Sequence, residues 1–378
     1  MDTTAAFDGF VCLDCGEAAE GWGRCADCGG RLDATYDGGA DDPVSGGIWD
    51  CHAPLPVGPG DAGGTRPGDT PLIDCPSLAA EAGVADFYVK DEGRNPSGSL
   101  ADRGQALAVA AAAETDETDV AIPTPGGSGQ ALAAHAARAG LESHAVVPTR
   151  APFVNKAMVN VHGGDMRVVE GRYPDAVEAF APEREGWYST RPFDSPLVHE
   201  GAKTLLYEIV ADVGVPDHVV VPTGHGDVLY GLRKAAAELD GEGYDAPALH
   251  AAQPAGCAPL VEAFESGGEV ERWETPDTVC GAIEIPDPEG GDLALDAVRE
   301  TGGEAVAVED RDAMGSAVTV AQHEGIGMNP SSGVAAAAAW ELAERGVIGA
   351  DDAIVVVNAA EATAAGDVLR SHLMGQGV

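Results

Sequence analysis

The sequence has 378 residues and a formal net charge of −42 at pH 7, because 63 Asp and Glu residues face only 21 Lys and Arg residues. Phosphate backbones and anionic lipid headgroups repel such a chain, which argues against nucleic acid and membrane surfaces as partners. The N-terminus lacks a signal-like pattern, and no apolar run reaches the roughly 18 residues of a membrane span, so we expect a cytoplasmic protein.

The acidic residues are spread along the whole chain, whereas lysine occurs only as Lys90, Lys156, Lys203 and Lys234. An even distribution is typical of halophilic proteins of the haloarchaeal type, while an acidic binding face would cluster the charge. The apolar fraction of 44% is ordinary for a globular protein of two or three compact units. We therefore interpret the charge as an adaptation to molar salt, with a binding face as the alternative.

Four cysteines lie close together near the N-terminus. Cys12, Cys15, Cys25 and Cys28 form two CxxC pairs separated by nine residues. Each pair can place two thiolates on one tetrahedral ion, and so short a segment needs the binding energy of a metal to fold. A catalytic zinc would keep an open position and usually a His ligand, so the pattern predicts a closed structural zinc ribbon over residues 1–32.

A long irregular segment follows the ribbon. Residues 33–76 are rich in Gly, Pro and Asp without a sustained period, which predicts a linker or extended arm. The main domain is then expected over residues 77–378. The remaining cysteines are scattered and are expected to be free thiols in a reducing compartment; they are Cys51, Cys75, Cys257 and Cys280.

Apolar, β-branched runs alternate with Ala-rich helical stretches through the main domain. This alternation predicts parallel sheets flanked by helices, and so an α/β fold. The predicted strands lie at residues 87–89, 120–122, 145–147, 167–169, 219–221, 249–252 and 354–357.

The segment from Phe87 to Leu107 reads as a strand, a polar turn and a helix. Ser99 is a suitable N-cap, and Asp102 follows three residues later, as in a capping box. The turn therefore lies at a helix N-terminus, where free N–H groups can bind an anion, although most capped helices bind nothing.

Three further loops follow predicted strands, where α/β sheets place their ligands. Two are Gly-rich, and the third begins with an amide side chain; Gly-rich turns without a ligand are also common. The candidate site residues are Gly126, Gly127, Ser128, Gly224, His225, Gly226, Asp227 and Asn358.

The turn and helix start NPSGSLADRG, within the segment from Phe87 to Leu107, resembles the active-site motif of threonine synthases and related fold type II pyridoxal phosphate enzymes. The resemblance implies two α/β lobes with the cofactor between them, the smaller at about residues 102–190. It also implies a Schiff-base lysine at the position of Ala101, a ring contact at Gly127, a phosphate cradle at residues 224–227 and a pyridine contact at Asn358. An N-terminal zinc ribbon is frequent in this family.

Alanine at position 101 has no amine, so the Schiff base cannot form there. The resemblance thus implies a threonine synthase-like protein that lacks this chemistry and keeps a binding or regulatory role. It also implies a homodimer and a small anionic, amino-acid-like ligand. Structural zinc is expected as a cofactor, and pyridoxal phosphate only by resemblance.

Two alternatives remain open. One is an active lyase that converts O-phosphohomoserine to threonine and phosphate with another lysine, for which Lys203 is the first candidate. The other is a structural partner of an active paralogue.

We predict that stability depends on molar salt. A chain with 63 acidic residues repels itself until counterions reduce the screening length to about 3 Å at 1 M salt. The midpoint of thermal unfolding should rise with potassium chloride concentration. If the midpoint does not change between low and molar salt, the acidic surface is not an adaptation to salt.

Overall fold

Three β-sheets organise the chain in the computed structural model, which describes residues 3–37, 41–60, 66–115, 117–181 and 186–375. The N-terminal sheet consists of β1 (Phe7–Cys12), β2 (Ala18–Ala19) and β3 (Leu32–Tyr36) in the antiparallel order β2-β1-β3. Leu32 and Ala34 alternate into a small core, so β3 continues past the predicted ribbon boundary at residue 32. Residues 38–40 and 61–65 of the predicted arm lie outside the described residues.

The chain next begins the large sheet and then builds a smaller one. Its elements are β4 (Leu72–Asp74), α1 (Pro76–Ala82), β5 (Asp86–Asp91), α2 (Ala101–Ala113), β6 (Asp119–Pro123), α3 (Gly127–Ala139), β7 (Glu142–Pro148), α4 (Phe153–Val161), β8 (Asp165–Val169), α5 (Tyr173–Phe180) and β9 (Tyr188–Ser189). The smaller sheet is parallel, in the order β8-β7-β6-β9. Its strands fall within residues 102–190, and the division into lobes stays a prediction.

The second half of the chain completes the large sheet. Its elements are α6 (Leu197–Val213), β10 (His218–Pro222), α7 (Asp227–Asp240), β11 (Ala248–Pro254), α8 (Pro259–Ser266), α9 (Gly291–Glu300), β12 (Ala305–Val308), α10 (Asp310–Glu324), α11 (Pro330–Glu344), β13 (Ala353–Asn358) and α12 (Gly366–Gly375). The strand order is β12-β11-β10-β13-β5-β4, parallel except for the antiparallel edge strand β4.

The predicted α/β fold is confirmed, and each of the seven predicted strands lies within an observed one. Strand β12 was not predicted, because a four-residue AVAV segment beside acidic residues gives little signal. None of the helices in the described ranges is long and apolar enough to cross a membrane. The four cysteines outside the ribbon are buried and unpaired.

The predicted capping box at the start of α2 is wrong. The Ser99 hydroxyl does accept a hydrogen bond from the Ala101 N–H at 3.2 Å. The Asp102 carboxylate, however, accepts hydrogen bonds from the Ser97 N–H and hydroxyl at 2.9 and 2.7 Å, and pairs with His135 of α3 at 2.8 Å. Asp102 therefore holds the preceding turn against a neighbouring helix.

A buried ion cluster joins the large sheet to α2 and α6. The Arg103 guanidinium is fully buried between two carboxylates, with contacts of 2.7 Å to Glu92 and 2.6 Å to Glu208. Lys90 of β5 contacts Glu208 at 2.8 Å and also donates to the Thr70 carbonyl at 2.6 Å. Burial alone would raise the pKa of Glu208, but Arg103 and Lys90 lower it to about 2.

We predict that Glu208→Gln lowers the free energy of unfolding by about 3 kcal/mol or more, because it leaves two buried cations with one carboxylate. The control is Glu304→Gln, which breaks a partly exposed pair with Arg345 and should cost at most about 1 kcal/mol. Urea titrations in molar potassium chloride measure the free energy of unfolding of both variants. Equal losses in the two variants would contradict the assigned role of the cluster.

Candidate functional site

A cavity of about 450 Å³ lies where loops of the two larger sheets meet. The connections that follow β6, β7, β10 and β13 all contribute to its lining. These are the C-terminal ends of parallel strands, where open α/β sheets place their ligands. The volume suits a small molecule.

Seven of the nine predicted cofactor-site positions line this cavity; they are Ala101, Gly126, Gly127, Ser128, Gly224, His225 and Asp227. Gly226 and Asn358 do not belong to the lining. Three separate loops thus converge as the resemblance implies, although the chain positions of the loops lie far apart.

Gly226 lies behind the cavity and serves packing. Its φ is +92°, and a Cβ there would lie 2.6 Å from the Gly290 carbonyl oxygen. Only glycine fits this backbone conformation and this close approach without strain. Packing against Gly290 therefore requires glycine at position 226, and the expected contact of Gly226 with a cofactor stays a prediction.

Asn358 is fully buried at the end of β13, beside its β5 partner Asp91. Its amide donates hydrogen bonds to the Asp91 carboxylate at 2.8 Å and to the Gly327 carbonyl at 3.1 Å. The amide nitrogen is thus satisfied, whereas the buried Oδ1 of Asn358 has no hydrogen-bond partner among the described residues, so the expected ligand contact at Asn358 stays a prediction. The following residues, Ala359 to Glu361, line the cavity instead.

Ala101 is the first residue of α2 and presents only a methyl group to the cavity. All four lysines lie in the described part of the chain, and none lines the cavity. Lys90 belongs to the buried Arg103 cluster, and Lys156 donates to the Thr149 carbonyl at 2.8 Å.

Lys203 and Lys234 are held in a second buried cluster, between the ribbon and helices α6 and α7. Lys203 contacts Glu200 at 2.8 Å and Glu238 at 2.7 Å. Lys234 contacts Glu200 at 2.5 Å and Asp33 of β3 at 2.7 Å. Lys203, the first candidate for a substitute Schiff-base lysine, is therefore a structural residue.

The same cluster explains one group of potential metal ligands. Asp33, His199 and Glu200 bring their ligand atoms within 4.8 Å of one another. Because Lys234 contacts both carboxylates, its ammonium group already supplies the positive charge that a metal would bring. We therefore interpret Asp33, His199 and Glu200 as residues that pack the ribbon against α6, and not as metal ligands.

His225 and Asp227 give the loop after β10 an unusual electrostatic character. Burial lowers the pKa of His225 to about 3, so its ring is neutral at pH 7, and it packs edge-on against Tyr173 with centroids 5.2 Å apart. Burial raises the pKa of Asp227 to about 6. Asp227 is therefore mostly a carboxylate at pH 7, and the residue is half-buried at the cavity.

Two arginines also line the cavity and were not among the predicted residues. Arg172 contacts the buried Glu284 at 2.6 Å, and Arg150 lies 3.9 Å from the same carboxylate. Arg172 and Glu284 are 112 positions apart, so no local sequence pattern marks them. The charged residues of the lining are two arginines and four carboxylates; the carboxylates are Asp227, Glu284, Glu361 and Asp367.

The ribbon cysteines form a compact group of sulfurs. The four Sγ atoms lie within 4.8 Å of one another, with Cys12–Cys28 at 3.5 Å and Cys15–Cys25 at 3.9 Å. Sulfurs about 2.3 Å from a tetrahedral zinc are separated by similar distances. The four residues therefore fit a closed metal site.

Two arginines fix the ribbon to loops behind the cavity. Arg24 contacts Asp194 at 3.0 Å and Glu289 at 2.7 Å, and Arg31 contacts Asp292 at 2.5 Å. The Gly290 N–H, next to Glu289, donates to the His225 carbonyl at 3.0 Å. The ribbon is thus linked to the loop that carries Asp227.

Two α/β sheets with a cavity at their strand ends define the architecture of fold type II enzymes, and the comparisons agree. The family described as "Pyridoxal-phosphate dependent enzyme" matches residues 65–359, and the chain belongs to this family. It is similar to the threonine synthase of Methanosarcina acetivorans, with 32% identity over 92% of this chain and 89% of that protein. The threonine synthase of Methanocaldococcus jannaschii is 31% identical over 88% of this chain and 86% of its own.

Solved structures share the fold at lower identity. Maize serine racemase superposes with a TM-score of 0.71 and 20% identity, and covers 82% of this chain and 94% of its own. A lysine-to-alanine mutant of O-ureido-L-serine synthase, solved with O-ureido-L-serine bound, has a TM-score of 0.67 and 22% identity over 80% of this chain and 91% of its own.

Proposed function

We propose that this threonine synthase-like chain lacks Schiff-base catalysis and uses its cavity to bind a small ligand, in a binding or regulatory role. The observation that carries the proposal is the distribution of lysines. Ala101 stands at the start of α2, none of the four lysines lines the cavity, and three of them are held in buried ion clusters. A Schiff base with the family cofactor requires a primary amine beside it.

The residues of the cavity do not fit pyridoxal phosphate as the family uses it. An aldehyde cofactor would meet the Ala101 methyl group, and its phosphate would meet the Asp227 carboxylate at the start of α7. Two like unit charges 4 Å apart repel by roughly 4 kcal/mol at an effective dielectric of about 20. We therefore derive no catalytic step through this cofactor.

The cavity itself supports a binding role. Its glycine loops and helix starts are retained, and two arginines and four serines supply polar groups around about 450 Å³; the serines are Ser97, Ser99, Ser128 and Ser331. The lysine-to-alanine mutant of O-ureido-L-serine synthase, solved with O-ureido-L-serine bound, provides a precedent in this fold for ligand binding by a variant in which a lysine is replaced by alanine.

The alternative with the most support is an active lyase, because 32% identity to a threonine synthase extends over 92% of the chain. That function needs an amine in the cavity. Lys203 would have to leave Glu200 and Glu238, and an uncompensated buried charge costs several kcal/mol. The role of a structural partner for an active paralogue stays a second alternative.

For the N-terminal ribbon we propose one structural zinc ion, bound by Cys12, Cys15, Cys25 and Cys28. The support is the CxxC spacing together with the short distances between the sulfurs.

Metal analysis of protein purified without chelator should give one zinc per chain. Cys25→Ser should lower the zinc content and the thermal stability, because three thiolates hold the ion less tightly. Cys280→Ser, a buried cysteine outside the ribbon, is the matched control and should keep its zinc. Fully folded wild-type protein without zinc would contradict the proposal.

We predict that wild-type protein mixed with pyridoxal phosphate in molar salt shows no visible absorption band of a lysine-bound cofactor and releases no phosphate from O-phosphohomoserine. Ala101→Lys should produce a weak band, because the positive helix N-terminus and burial favour the neutral amine. Threonine formation should not return, since about 1 Å of misplacement can cost a hundredfold in rate.

Cofactor affinity of the Ala101→Lys protein should rise about tenfold or more when Asp227→Gly removes the repelling carboxylate. Gly127→Asn and His225→Asn should each add a smaller gain in cofactor affinity. For Gly127→Asn the gain is limited, because the new Cβ would lie 3.2 Å from the Ser99 hydroxyl and would require a small shift. Titration of the visible band measures these affinities. Phosphate release by the wild-type protein would overturn the proposed loss of catalysis.

A further inference from the structure

The turn of residues 288–290, which leads into α9, lies between the N-terminal ribbon and the loop after β10. The Gly290 N–H donates a hydrogen bond to the His225 carbonyl at 3.0 Å, and a Cβ at Gly226 would lie only 2.6 Å from the Gly290 carbonyl oxygen. His225 and Asp227 of the same loop line the cavity. Because the two backbones leave no room between them, a shift of the turn must move the cavity loop as well.

Two ribbon arginines hold this turn from the other side. The Arg24 guanidinium contacts the Glu289 carboxylate at 2.7 Å. Arg31 donates to the Glu289 carbonyl at 3.2 Å and contacts Asp292, in the first turn of α9, at 2.5 Å. Arg191, which lies outside the ribbon, contacts the other carboxylate oxygen of Glu289 at 2.5 Å. The ribbon therefore supplies one cation to the Glu289 side chain and a second to its backbone and to α9.

The positions of both arginines depend on the two CxxC pairs. Arg24 directly precedes Cys25 in the chain. Arg31 follows the second pair, and its backbone N–H and its guanidinium bind the Asp14 carboxylate at 2.7 and 2.8 Å. Asp14 lies inside the first CxxC pair. The Arg31 side chain thus joins the first cysteine pair directly to α9.

Metal occupancy defines two states of these contacts. With a metal bound, the four thiolates hold both CxxC turns on one ion, and the two arginines are fixed in place. Without a metal, so short a segment loses the binding energy that folds it. The arginine contacts are partly exposed ion pairs, with Arg24 30% and Asp292 59% exposed, and such pairs are too weak to replace the metal.

We propose that metal at the four cysteines regulates the cavity, because it orders the loop of residues 224–227 through Arg24, Arg31 and the turn of residues 288–290. This inference rests on the proposed structural zinc and on the proposed binding role of the cavity, and it adds the regulation of that site. Coupling of this kind is reciprocal, so a ligand that orders the loop also tightens the binding of zinc.

The test is amide hydrogen exchange, read by mass spectrometry on the full-length protein in molar potassium chloride. Removal of zinc with a chelator should speed exchange about threefold or more in peptides that cover residues 224–229 and 288–292. The Gly290 amide is the donor to His225, so its exchange reports the contact directly. Another cavity loop, residues 124–129, packs against Pro152 and Asn155 and should change less than about 1.5-fold.

Two variants test the path with the metal in place. Arg24→Gln and Arg31→Gln should each speed exchange about twofold or more in the same two peptides, while the zinc content stays that of the wild type. The matched control is Arg345→Gln, which breaks a partly exposed contact of 2.5 Å with Glu304, away from the ribbon. This control should change exchange at residues 224–229 less than about 1.5-fold.

Unchanged exchange at residues 224–229 after zinc removal, or an equal rise at residues 124–129 in protein that stays folded, would overturn the proposal. If the zinc-free protein unfolds as a whole, the two zinc-loaded arginine variants decide, and wild-type exchange rates in both of them would overturn it. None of these measurements uses a ligand or a cofactor. Metal analysis, the visible spectrum and phosphate release judge the zinc site and the loss of catalysis separately.

Discussion

The pairing of buried charges is the constraint on which the rest of this structure depends. The chain has 63 acidic residues and four lysines, and three of those lysines lie in buried clusters. Arg103 and Lys90 join β5 to α2 and α6, while Lys203 and Lys234 join α6 and α7 to the ribbon. Because a buried charge that loses its partner costs several kcal/mol, the members of each cluster cannot be exchanged one at a time.

These clusters also decide what the cavity can do. Their lysines are held among carboxylates, so they supply no amine to the cavity. Glu284 likewise engages the two lining arginines. Asp227 lines the cavity without an ion-pair partner among the described residues, and its carboxylate would repel a phosphate group placed beside it.

The ribbon has a defined place in this arrangement. Asp33 of β3 contributes a carboxylate to the Lys234 site, and Arg24 binds Asp194 and Glu289 next to the cavity loops. A metal held by the four cysteines would therefore stabilise more than a terminal segment. Through Glu289 and Gly290, the ribbon supports the backbone that positions His225 and Asp227.

The sequence by itself determined the α/β class, the seven strands, the cysteine cluster and the three loops of the cavity, because each depends on residues close together in the chain. Only the tertiary structure decided where the side chains of those residues point. Asn358 turns to Asp91 on a neighbouring strand, Asp102 binds Ser97 and His135, and Arg172 finds Glu284 far along the chain. Such partners are selected by packing between distant segments, and local sequence patterns contain no record of that packing.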